Sequence, residues 1–203
     1  MEEIILSESQ RDALKEIGNV CSGNAATALS QLSGKKISIV VPRILFVPIE
    51  KVPDIVGGAD KLVAGLVIRV LGDIPSHILF VFSQKDILIL SSFLTHKPIT
   101  LGGVITEIDR SALKEVGVIL ANAYLGSLSA FIGVGLIPKV PELIIDMAGA
   151  MVDYILIELS EVSRFALMIE SEFKETTTSL SGNFFLIPNS TGFELLLKAI
   201  AKF

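Results

Sequence analysis

Ala13-Leu-Lys-Glu-Ile-Gly-Asn-Val-Cys-Ser-Gly-Asn-Ala-Ala-Thr-Ala-Leu-Ser30 returns later in the chain as Ala112-Leu-Lys-Glu-Val-Gly-Val-Ile-Leu-Ala-Asn-Ala-Tyr-Leu-Gly-Ser-Leu-Ser129. A shift of 99 residues aligns the two without a gap, from Asp12–Pro42 onto Ser111–Pro141. The shared Ala-Leu-Lys-Glu, the glycine pair Gly18/Gly117 and the Val41-Pro42/Val140-Pro141 pair all fall at that shift. Self-similarity at a fixed offset marks a duplicated unit. The chain is therefore read as one domain, 1–203, made of two homologous halves, about 1–103 and 104–203, related by a pseudo-two-fold axis.

Each copy opens with a long amphipathic helix. Ser7 followed by Gln10 forms a capping-box pattern, and Leu14, Ile17, Cys21, Ala25, Leu29 recur at helical spacing up to Gly34. In the second half Thr106 is the cap and Gly133 the stop. β-branched runs follow each helix: Ile37–Val41, Ile44–Val47, Val63–Val70 and Ile78–Phe82, then Tyr154–Leu159, Phe165–Glu170 and Phe184–Ile187. Shorter helical stretches are expected at Asp86–Leu94, Leu143–Met151 and Phe193–Ile200. The fold class is α/β, with a mainly antiparallel sheet and two long helices packed on it.

Composition removes several functions. Hydrophobic residues make up 51% and charged ones 19%, too apolar for disorder. The mean hydropathy is +0.67, yet no apolar run reaches the roughly 18 residues of a membrane span, so no membrane insertion is expected. A net charge of −5, no Trp and two Tyr argue against nucleic acid. One cysteine, Cys21, cannot form an internal disulfide, and with the acidic Met1-Glu2-Glu3 start it points to the cytoplasm. His77 and His96 have no metal-ligand spacing and read as surface or packing residues.

The polar face of the first helix is the candidate binding face. Asp12, Glu16 and Asn19 lie at i, i+4 and i+7, one line of side chains. Such a face is most often simply solvated, but Glu115 repeats the Glu in the second helix, which solubility does not require. Gly18 and Gly23 inside a helix cost about 1 kcal/mol each relative to Ala. They point to a close approach, by the partner helix or an outside protein. Physics alone gives a binding face.

These residues resemble the CheC family of chemotaxis phosphatases, whose relatives include CheX and FliY. The family signature is Asp or Ser, three residues, Glu, two residues, Asn, then 22 residues and Pro; Asp12, Glu16, Asn19 and Pro42 stand at that spacing. In the second copy Ser111, Glu115 and Pro141 fit, but Val118 replaces the Asn, so that site is degenerate. The resemblance implies hydrolysis of the aspartyl phosphate of a CheY-type response regulator. Glu16 would pair with a lysine of the regulator and Asn19 would orient the attacking water. The Mg²⁺ would come with the regulator, leaving no cofactor for this chain to hold. It also implies a second partner, the receptor deamidase CheD, met by the Leu143–Met151 stretch through Asp146. The competing reading is a non-catalytic or weakly active adaptor that binds CheD or a flagellar or archaellar switch component.

Overall fold

The computed structural model describes residue 4 and residues 6–95, 104–158, 164–175 and 178–202. Helix α1 (Glu8–Ser33) starts at a complete capping box, Ser7 with Gln10, and ends at Gly34 in the left-handed region, φ 66°. Helix α4 (Glu107–Ile132) has the same length, with a Thr106/Asp109 box and Gly133 at φ 72°. Left-handed glycine caps satisfy last-turn carbonyls at no steric cost. Between them lie β1 (Ile37–Pro48), the short α2 (Val52–Ile55), β2 (Leu62–Gly72), β3 (Ser76–Ser83) and α3 (Gln84–Thr95). After α4 come β4 (Leu136–Pro138), β5 (Glu142–Met147), α5 (Ala148–Glu158), β6 (Phe165–Glu175), β7 (Thr178–Pro188) and α6 (Ser190–Ile200).

The order of elements thus repeats: long helix, bent strand, short helix, hairpin, helix. β1 carries a register shift between Val40 and Arg43, around Pro42. The segment 136–147 is broken into β4 and β5 around Pro141, where the ring cannot donate to a ladder.

The strands form one antiparallel sheet in the order β1-β6-β7-β3-β2, with β4 and β5 both on β2. The order is the same read from either end. At its centre β3 pairs with β7, Phe80 opposite Phe184. The outer pairings are exchanged: β1 of the first half lies on β6 of the second, and β4–β5 of the second lie on β2 of the first. Neither half holds its own bent strand.

The helices α1, α3, α4 and α6 cover one sheet face. Leu14, Cys21, Leu29, Leu113, Leu120, Tyr124, Phe80 and Phe184 belong to that core. The other face is covered by α2 and α5, where Met151, Val152 and Ile155 meet Val63, Leu79, Met168 and Phe185. Helix α4 is the one described helix long and apolar enough to cross a membrane, but Leu113, Val116, Leu120 and Leu125 are buried in this core.

Two expectations are corrected. Leu143–Met151 is not a helix: Glu142–Met147 forms β5, antiparallel to β2, and the helix begins at Ala148. Residues 154–158, read as strand, are the end of that helix, and Leu159 lies outside the described residues. β-branched Ile144 and Ile145 suit a ladder. Met151, Val152 and Ile155 recur at helical spacing on a sheet face that needs cover, which overrides the strand propensity of Tyr154 and Ile155.

Candidate functional site

Asp12, Glu16 and Asn19 are all exposed on α1, whose opposite side is held by buried Leu14, Ile17, Cys21 and Ala25. The Glu16 carboxylate and the Asn19 carboxamide have no hydrogen-bond partner among the described residues, so both are free to meet a second molecule. Ser22 Oγ donates to Asn19 O at 2.9 Å, fixing the backbone there. Val20, 45% exposed, borders the same face toward α4. Beside it a groove of about 350 Å³ runs between the helices, lined by Ile17, Val20, Asn24, Ser127 and Phe131. Asn24 Nδ2 donates to Ser127 Oγ across it at 3.0 Å.

Gly18 has an internal reason. A Cβ there would lie 3.2 Å from Val41 Cγ1, so the glycine admits the bend of β1 that carries Pro42. Gly117 does the same for Pro141, at 3.0 Å. The close approach expected from an outside protein or the partner helix is, at these two positions, made by the protein's own strand. This fixes the distance between the Glu16/Asn19 turn and the exposed Pro42. Gly23 differs: a Cβ there would meet nothing within 4 Å.

On α4, Ser111 and Glu115 are exposed as on α1, while Val118 is half-buried and Pro141 buried. The two faces share a backbone but not an environment, since an isopropyl group tucks against the fold where a carboxamide reaches out. Asp146 sits exposed on the outer strand β5, its Oδ1 accepting from Met147 N at 2.7 Å. It is far in sequence from α1 and is not brought to the Glu16/Asn19 face.

His77 is 2% exposed on β3, and its Nε2 lies 2.9 Å from Glu158 Oε2 at the end of α5. It is a packing residue, in a cavity of about 410 Å³ with Arg69, Lys139, Glu142 and Tyr154. Partial burial and then the carboxylates of Glu142 and Glu158 raise the Tyr154 phenol above its usual pKa. His96 lies outside the described residues. Cys21 is buried, and desolvation pushes its thiol up to about 11, removing it as a nucleophile at neutral pH.

The chain thus presents Glu16-x-x-Asn19 on an exposed helix of a duplicated α/β fold, over a strand bent at Pro42. The family model for the CheC-like family matches residues 10–45, which span most of α1 and the bend of β1. Over 200 residues the chain is 32% identical to the CheY-P phosphatase CheC of Bacillus subtilis (strain 168), covering 96% of this chain and 95% of that one. The chain belongs to the CheC family. The flagellar motor switch phosphatase FliY of the same organism shares 47% identity over 49 residues, 24% of this chain and 13% of that protein. In fold, the chain matches FliY of Thermotoga maritima with a TM-score of 0.77 at 18% identity, over 98% of this chain and 99% of that one. It also matches a chain of the CheX-CheY-BeF3-Mg²⁺ complex from Borrelia burgdorferi with a TM-score of 0.52 at 14% identity, over 86% and 97%.

Proposed function

We propose that this protein is a chemotaxis phosphatase that hydrolyses the aspartyl phosphate of a CheY-type response regulator. The observation that carries the reading is the exposed, unpaired Glu16 and Asn19 pair on α1, in a chain 32% identical over nearly its full length to a CheY-P phosphatase. Glu16 docks against a cation of the regulator. Asn19 holds a water in line with phosphorus, its amide both donating and accepting. The water oxygen bonds to phosphorus as the bond to the aspartyl oxygen breaks, the carboxylate leaves, and the water's proton ends on inorganic phosphate. Mg²⁺ in the regulator offsets charge on the phosphoryl oxygens. This chain supplies position, an effect that accounts for large rate factors without a nucleophile. The reading carries a cytoplasmic location with it.

The test is decay of a ³²P-labelled regulator with and without the protein. Asn19→Ala is expected to lower kcat by at least about tenfold with little change in regulator binding. Glu16→Lys is expected to raise the regulator's Kd by a similar factor. Wild-type decay rates in both variants would remove the assignment.

A second partner, CheD, is proposed for the outer strand β5, where Asp146 and Met147 are both exposed. Asp146→Lys is expected to abolish CheD binding and to leave phosphatase activity intact. Unchanged affinity would return β5 to a structural role.

A further inference from the structure

The two interior glycines of α1 have different causes. Gly18 is required by Val41, but nothing in the described fold requires Gly23. An interior glycine weakens a helix, so a position with open space above it would ordinarily carry a side chain. Gly23 follows Glu16 by two turns and Asn19 by one, on the same outward side. Helical side chains lean toward the N-terminus, so a side chain at 23 would overhang the turn bearing Asn19.

The second helix shows that overhang. Asn122 stands where Gly23 does, is exposed, and its Nδ2 donates to Val118 O at 2.9 Å. Its amide is therefore folded back over the residue that replaces the site asparagine. Gly126 on α4 is also open, but it borders the interhelical groove beside Ser127 and Ala130.

Resting on the phosphatase reading above, we infer that Gly23 is a positioning residue. Its bare backbone gives the phosphorylated regulator the clearance to seat on α1, so that Asn19 reaches the phosphoryl group. Asn122 closes the same clearance on α4. The second face has thus lost both its water-positioning amide and its access, and replacing Val118 alone does not restore it.

The experiment uses the full chain with a ³²P-labelled regulator for turnover and the beryllofluoride-loaded regulator for binding. Gly23→Asn is expected to lower kcat/KM at least tenfold, chiefly through KM, with a Tm equal to or above wild type. Gly23→Ala is expected to raise Tm and to lower kcat/KM less. In an Asn19→Ala background, Val118→Asn with Asn122→Gly is expected to recover at least threefold more activity than Val118→Asn alone. Wild-type KM and kcat in Gly23→Asn would overturn the inference, as would a loss of activity that merely follows a lower Tm. Equal activity with and without Asn122→Gly would overturn its α4 half. A wild-type protein that does not accelerate decay defeats the phosphatase reading itself, a result distinguishable from an active enzyme indifferent to residue 23.

Discussion

Phe80 and Phe184 face each other across the central β3–β7 seam, ring centroids 5.0 Å apart, where the two halves of the chain meet. Tyr124 of α4 stacks on Phe184 at 4.8 Å and meets Phe80 edge-on at 5.9 Å. Its hydroxyl hydrogen-bonds with Ser171 Oγ at 2.8 Å, so a polar tip is satisfied inside an apolar cluster. The aromatic trio ties the long helix of the second half to strands from both halves.

Phe184→Ala should therefore destabilise the whole molecule by about 3–5 kcal/mol, the usual loss for a buried aromatic truncation. Urea unfolding followed by far-UV circular dichroism should show one transition at lower midpoint. Two separated transitions would mean that the halves unfold independently.

Cys21 predicts a pH dependence. Burial raises its folded pKa from 9.0 to about 11. The unfolded chain then loses its proton first, so stability is full below pH 9 and falls as pH rises toward about 11. The thiol's share of that loss is about 2–3 kcal/mol. Cys21→Ala should flatten the decline of unfolding free energy between pH 9 and 10, the lower part of a window in which Tyr124, also raised by burial, titrates later. Identical slopes in the two proteins would refute the assignment. Native Cys21 should also resist iodoacetamide at pH 8 and react on unfolding.

Among the described residues His77 Nδ1 has no partner, and its Nε2 depends on Glu158. Glu158→Ala leaves both ring nitrogens of a buried imidazole unsatisfied and should cost about 1–3 kcal/mol. Glu158→Gln keeps a hydrogen-bonding group within reach and should cost less. Thermal unfolding of the two variants side by side decides it: equal losses would show that the contact holds α5 by packing alone.

The long helices and their ends were legible because their signals are local: Ser7 with Gln10, Thr106, Gly34 and Gly133 each act within one turn. Glu16 and Asn19 were legible as a face for the same reason. The stretch from Leu143 to Glu158 was not. It is apolar almost throughout, and only the demand for cover on each sheet face decides that Ile144 enters a ladder while Ile155 turns onto a helix. The purpose of Gly18 was equally hidden, since Val41 reaches it only after β1 folds back. The partner of β1 left no local trace, because Arg43 meets Glu170 across 127 residues of chain.

The exchanged outer strands have unequal histories on the ribosome. When β4 and β5 emerge, β2 has already been made and can receive them. β1 has no ladder partner until Phe165–Glu175 follows, late in synthesis. A nascent chain therefore carries Ile37, Ile39 and Val47 with an unpaired edge through most of its translation. Such a segment invites capture by a holding chaperone or by a neighbouring nascent chain.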